Sequence, residues 1–336
     1  MMSEEKEEEL ILHAAVLHIL DFRTGASVYS EQVLDLEDEM IFGYVMHQMV
    51  RASNDMQNRE GIFREDSAMK NLLEQYAEGE LDFLTFSMQA AKNAEEVMKT
   101  YLDLPTDCLV LDYEQNGKRY AGMLFLEISK AFTQITEQNE RTVNTILESY
   151  SVLPGFSKKI RFAASICLED FSIRFLDEAS RSSDASLMQE VLGCSSGKSS
   201  EEVLKTLTKI TEQVAEEHEE NPALMVSRVK NYLRETTESK PSVTTEDLSS
   251  HVFSESEELK TAFEKRVQEE EVPEEVVLPK TASARRLKNQ RIRTDTGIEL
   301  IFPTEYFSSP DFIEFTNHPD GTISIELKQI GKITNR

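Results

Sequence analysis

Asn116-Gly117 constrains this chain more than any other pair of residues. It joins Cys108–Tyr113 to Arg119–Ile128, two runs rich in β-formers. Both turn residues tolerate the positive φ that a tight antiparallel turn needs. A hairpin in the first half of the chain is therefore the firmest element, and its neighbours are read around it.

Leu10–Leu20 (LILHAAVLHIL) has strand length and character, although its alanines also suit a helix. Ser27-Val28-Tyr29 is its expected hairpin partner across Arg23-Thr24-Gly25. Leu36–Arg51 reads as a helix with Leu36, Met40, Tyr44 and His47 near one face, and Ser67–Tyr76 as a second. In Leu81–Leu102, Phe83, Phe86, Ala90, Ala94, Val97 and Tyr101 recur at three- and four-residue steps, the spacing of an amphipathic helix. Val143–Tyr150 (helix also open) and Lys159–Cys167 are further strand-like runs. Residues 1–180 are thus expected to form an α+β domain with a mostly antiparallel sheet.

Residues 181–270 are expected to be helical. Val203, Leu207, Ile210 and Val214 form one stripe, and Asn221-Pro222 supplies an N-cap and first-turn pair for a helix reaching Leu233. The Ser/Thr/Glu-rich stretch Glu235–Ser250 reads as a loop. Residues 271–336 are expected to be a basic linker followed by a small β-rich unit. Its strands are Gly297–Phe302, Phe312–Phe315 and Thr322–Lys328, with a turn at Pro319-Asp320-Gly321. A chain of 336 residues has room for two or three such domains.

Charge limits the partners. With 62 acidic against 36 basic residues the formal charge is −26, so the chain as a whole repels nucleic acid. Any DNA contact has to be local. The candidate is Lys280–Arg293 (KTASARRLKNQRIR), six Lys or Arg and no acid in fourteen residues, directly after Glu269, Glu270, Glu271, Glu274 and Glu275. Lys280, Arg285, Arg286, Lys288, Arg291 and Arg293 suit phosphate contacts. Six such contacts on duplex DNA would give a log–log salt slope of about −5. No aromatic residue is interleaved, which disfavours stacking on single strands. Lys158, Lys159 and Arg161 form a second candidate patch. The competing reading of the basic stretch is a charged linker that neutralises nearby acids.

Catalytic readings are weaker. Gly193-Cys-Ser-Ser-Gly197-Lys198-Ser199 has three residues between its glycines where a phosphate loop needs four, and a helical segment precedes it. A glycine helix stop and a turn into the next helix explain it. Pro310-Asp311 with Glu326-Leu327-Lys328 resembles a Mg²⁺-dependent nuclease pattern, in which Asp311 and Glu326 would hold the metal and Lys328 the water or phosphate. It equally describes the outer face of a half-buried strand. The six histidines have no ligand spacing, and His13 and His18 fall on opposite faces of a strand. Cys108, Cys167 and Cys194 lack disulfide or metal spacing and read as buried small side chains in a reducing cytoplasm. An acidic start and the lack of a long apolar run argue against a leader or a membrane partner.

Several segments then converge. Gly61-Ile62-Phe63 with Asp66-Ser67, Gly79-Glu80 leading into Asp82-Phe83-Leu84 and Phe86-Ser87, the Asn-Gly hairpin, Phe175-Leu176 and Leu192-Gly193 follow in order. With Gly297–Ile301 and Asp320–Ile325 they resemble, over essentially the full length, the bacterial 37-kDa nucleoid-associated protein family. The resemblance implies a non-enzymatic cytoplasmic protein of the nucleoid, with double-stranded DNA or nucleoid proteins as partners and no cofactor. It names no catalytic residues. An acidic protein-interaction module or DNA-mimicking decoy stays open beside it, as does the nuclease, and a homodimer is compatible with it. Asp177–Asp184 (DEASRSSD) departs from the basic residues expected at that place, so direct DNA contact there is disfavoured.

Overall fold

The computed structural model describes residues 10–22, 25–101, 106–138, 142–178, 186–240, 242–279, 283, 287–307, 309, 311–318 and 322–332. The chain divides into two compact units, 1–197 and 198–336. The fold is α+β, and its strand pairs are antiparallel.

The first unit runs β1 (Leu10–Leu20), α1 (Glu39–Ser53), β2 (Arg59–Phe63), α2 (Ala68–Ala77), α3 (Phe83–Met98), β3 (Thr106–Gln115) and β4 (Lys118–Glu127). It continues with β5 (Ser129–Gln138), β6 (Thr142–Val152), β7 (Phe162–Cys167), β8 (Ile173–Asp177), α4 (Leu187–Leu192) and β9 (Cys194–Ser196). Asn116 (φ 52) and Gly117 (φ 78) form the turn between β3 and β4, which pair from Gln115↔Lys118 to Thr106↔Glu127. Seven strands form one sheet in the order β1-β3-β4-β7-β8-β2-β9.

Alternation along β3 and β4 divides the core into two layers. Cys108, Val110, Met123 and Phe125 pack with α2, α3 and α4, through residues such as Leu73, Phe86, Ala90 and Met188. Leu109, Leu111, Leu124 and Leu126 pack with Val45 and Met49 of α1. Burial on both faces explains why these strands read as nearly continuous apolar runs. Asp38, Ser67 and Asp82 cap α1, α2 and α3 by accepting backbone N–H groups.

Two expectations for this unit change. Ser27–Tyr29 contributes one isolated bridge, Ile19↔Val28, while β1 pairs along its length with β3. The long strand needs an equally long partner, and β3 provides it. The short strands β2, β8 and β9 are also unanticipated. Three to five residues are too few for alternation to register, and β2 pairs with β8 and β9, which are distant in sequence.

The second unit contains α5 (Ser200–Glu217), α6 (Pro222–Ser239), β10 (Ser242–Thr244), α7 (Thr245–Val252), α8 (Glu257–Glu269) and β11 (Glu275–Val277). Then come β12 (Asn289–Arg293), β13 (Glu299–Pro303), α9 (Thr304–Phe307), β14 (Ile313–Asn317) and β15 (Ile323–Leu327). Val203, Leu207, Ile210 and Val214 are buried as one stripe, and Asn221 caps α6 ahead of Pro222. The strands form three separate ribbons, β10–β11, β12–β13 and β14–β15.

The loop expected at Glu235–Ser250 is instead the end of α6, then β10 and most of α7. Thr244 accepts the Asp247 N–H as the helix cap, while Val243, Leu248 and Val252 are buried. Polar composition masked that sparse apolar spacing. The turn expected at Pro319-Asp320-Gly321 lies outside the described residues.

Candidate nucleic-acid interface

The Gly193–Ser199 segment has no phosphate-loop geometry. Gly193 ends α4 in the left-handed region (φ 64), and an added Cβ would sit 2.8 Å from Ser67 Oγ. Ser199 opens α5 in a capping box with Glu202. Asp177, where the acidic departure begins, is buried and structural: its Oδ2 accepts from Ser186 Oγ at 2.6 Å and from Met188 N at 2.7 Å, fixing the start of α4. Residues 179–185 lie outside the described residues.

In the nuclease-like pattern, Glu326 lies opposite Glu314 in the β14–β15 register. The Lys328 ammonium is held by Glu314 and lies 3.8 Å from Glu326. Hydrogen bonding to Glu314 raises the Lys328 pKa above its ordinary value. The lysine therefore neutralises a carboxylate pair on an exposed ribbon. Among the described residues, no three His, Cys, Asp or Glu side chains are grouped to hold a metal ion. All three cysteines are free and buried, and burial pushes the Cys108 and Cys194 thiols up.

Lys158, Lys159 and Arg161 come together in the first unit, but with matching acids. Arg161 binds Glu127 at 2.6 Å and Glu178 at 3.1 Å. Lys159 donates to Gln57 Oε1 at 2.7 Å and lies 3.8 Å from both Asp55 and Glu178. Lys158 Nζ donates to the Glu127 carbonyl at 2.8 Å. These cations tie the strand-entry segment ahead of β7 to the surrounding elements, and their field is largely cancelled locally.

The basic stretch Lys280–Arg293 behaves otherwise. Lys280, Arg285 and Arg286 lie outside the described residues. Ser283, Leu287 and Gln290 are buried and anchor the stretch at those positions. Thr304 clamps it, donating its hydroxyl to Leu287 O at 2.6 Å and its N–H to Lys288 O at 2.9 Å. β12 follows at once, leaving Lys288, Arg291 and Arg293 exposed.

A groove of about 460 Å³ opens beside this strand. Val229, Leu233 and Leu287, all buried, contribute apolar lining. Lys205 and Lys209 enter from α5, Lys230 from α6 and Arg291 from β12, against two carboxylates, Glu201 and Glu212. The α5 contribution follows helical spacing: residues 201, 205, 208, 209 and 212 share one face. Glu201 pairs with Lys205 at 3.0 Å and Glu299 with Arg291 at 2.6 Å, whereas Lys209, Lys288 and Arg293 have no ion-pair partner among the described residues. Among the described residues, no aromatic ring lines the groove. Its chemistry suits oxyanions met by ammonium and guanidinium groups, without base stacking. Sequence reading missed Lys205, Lys209 and Lys230. Lys205 and Lys209 were visible as a basic i,i+4 pair on a Glu-rich helix; Lys230 carried no signal.

The architecture defines a class: an acidic, two-unit α+β protein with four cations gathered on one concave surface. The family model described as Nucleoid-associated protein YejK matches residues 16–333, and the chain belongs to that family. A role at the nucleoid follows from membership. Among curated proteins none matches the chain. No helix among the described residues is long and apolar enough to cross a membrane.

Proposed function

We propose that this protein binds the sugar–phosphate backbone of double-stranded DNA in the bacterial nucleoid, without catalysis, through the cations of its second unit. The observation that carries the reading is the groove in which Lys205, Lys209, Lys230 and Arg291 converge within a chain of charge −26. Lys288 and Arg293 extend that surface along β12, and Lys280, Arg285 and Arg286 precede it in sequence. Acidic surface elsewhere repels the duplex and orients the protein on it. Contacts of this kind read the backbone and carry little sequence preference.

Titrating the full chain onto a labelled duplex at a series of salt concentrations tests the reading. Lys205→Ala with Lys209→Ala should weaken binding at every sequence tried and make the log–log salt slope shallower by about 2. Unchanged affinity and slope would remove the groove from the function.

A second reading has its own observation. Glu31, Asp35, Glu37, Asp38 and Glu39 form an exposed acidic run at the start of α1, suited to basic faces of DNA-bound proteins. Under that reading the protein shows no affinity for bare DNA, and free DNA competes with it for such partners. Incubating plasmid with the protein and Mg²⁺ in the same series checks for cleavage.

A further inference from the structure

In the first unit, a side chain of β3 passes over β4 to reach β7. Gly122 of β4 sits between Leu111 of β3 and Ser165 of β7 in the sheet register. The Tyr113 ring lies against this glycine, and an added Cβ would come 3.2 Å from the ring edge. With no side chain in the way, the Tyr113 hydroxyl meets Ser165 Oγ at 2.5 Å. Tyr120 stacks on the same ring, with centroids 5.4 Å apart. Next along the row comes Arg174 of β8, paired with Ser165. Paired residues share a face of the sheet, which brings a guanidinium beside two hydroxyls. Burial pushes the Tyr113 pKa up to about 12, with the charge of Arg174 pulling the other way, so the phenol stays a neutral hydroxyl.

A cavity of about 80 Å³ opens between this row and the last turns of α1. Met49, Ala52, Leu111 and Leu124, all buried, give it apolar walls. Arg174 lines it half-buried, and its guanidinium makes no hydrogen bond or ion pair among the described residues. Glu60, its register neighbour on β2, does not pair with it. By contrast, Arg64 pairs with Glu190, Arg119 with Asp112 and Arg161 with Glu127. A charge partly withdrawn from water without a counter-charge is costly, and an anion relieves that cost. The cavity narrows the choice of anion. One guanidinium matches a monoanion, and its planar fork matches a carboxylate. Apolar walls match a hydrocarbon tail. The volume is close to half of the roughly 150 Å³ that takes benzene, so a short chain fits and a ring does not.

We propose that this cavity binds a short-chain aliphatic monocarboxylate. Its carboxylate meets Arg174 and the Tyr113–Ser165 hydroxyl pair, and its tail packs against Met49, Ala52 and Leu124. The two hydroxyls spend one proton on each other, which leaves the second free to donate to the ligand.

Saturation-transfer NMR of butyrate with the full chain, titrated into the millimolar range, tests the site. Butyrate should bind saturably. Its neutral isostere butyramide should bind at least about 10-fold more weakly, because hydrogen bonds between charged groups are the stronger ones. Inorganic phosphate, which has no tail, and benzoate, which is too wide, should not displace butyrate. Arg174→Gln should weaken butyrate about 10-fold or more with an unchanged melting temperature, since the guanidinium holds no described residue. Tyr113→Phe keeps the ring over Gly122 and deletes its hydroxyl, and should weaken butyrate about 3-fold or more. The butyramide and Tyr113→Phe comparisons keep Arg174 in place and decide the matter without that variant. Absence of saturable butyrate binding, equal binding of butyramide, displacement by phosphate, or wild-type affinity in either variant would each overturn the proposal.

Discussion

Asp107 should make the first unit less stable as pH rises from about 4 to 6, and Asp107→Asn should reverse that loss. The carboxylate is 5% exposed on β3, on the face that carries Leu109 and Leu111 against α1, and its Oδ1 has no hydrogen-bond partner. Burial pushes its pKa from 3.8 up to about 6. The folded state therefore prefers the protonated acid. Its favourable contribution is complete below pH 3.8, and it is lost as pH rises through about 6. A shift of this size corresponds to roughly 3 kcal/mol at pH 7.5, with a slope of about 1.4 kcal/mol per pH unit inside the window.

His18 acts in the opposite direction. Its ring is buried, Nδ1 accepts the Ser30 N–H at 3.1 Å, and Nε2 lies 3.2 Å from Ser87 Oγ. Burial lowers its pKa from 6.5 to about 4, so its contribution is present above pH 6.5 and falls away as pH drops toward 4. Wild-type pH dependence mixes the two groups, and the difference between wild type and Asp107→Asn isolates the carboxylate. The neutral amide should raise stability at pH 7.5 by about 1–3 kcal/mol and leave it nearly unchanged near pH 4. Urea unfolding followed by far-UV circular dichroism at stepped pH measures this, since the chain has no Trp for fluorescence. A ΔΔG independent of pH, or a variant destabilised at pH 7.5, would refute the argument.

Two further outcomes follow from the same geometry. Lys159→Ala with Arg161→Ala leaves Asp55, Glu127 and Glu178 without their partners, so thermal stability should drop by about 1 kcal/mol, while the salt slope of DNA binding stays as in wild type. Gly193→Ala forces a Cβ into the left-handed region and against Ser67 Oγ at 2.8 Å; calorimetry should record a loss of about 2 kcal/mol, far more than Gly197→Ala, where nothing lies within 4 Å.

Much of the fold was legible because its signals are local. The Asn116-Gly117 turn, the cap at Asn221 and the Val203–Val214 stripe each depend on residues a few positions apart, and each forms where it was expected. The errors share an opposite cause. Ser27–Tyr29 does meet β1, but through the one bridge Ile19↔Val28, because β3 pairs along the rest of that strand. Glu235–Ser250 looked like a loop because Val243 and Leu248 are its two buried apolar residues among the described ones. In Lys280–Arg293, charge alone did not show that Ser283, Leu287 and Gln290 are buried while Lys288, Arg291 and Arg293 stay exposed.

The sequence alone determined that this is an α+β protein of the nucleoid-associated family, too acidic to meet DNA except through a local patch. It could not show which distant cations share a groove. Lys205, Lys209, Lys230 and Arg291 come from three elements separated by many residues, and no spacing rule links them. Nor could it show that Lys158, Lys159 and Arg161 are matched by Asp55, Glu127 and Glu178. Those decisions belong to tertiary structure. Apolar faces set how the elements pack, and charged side chains meet whichever neighbours that packing brings within a few ångströms.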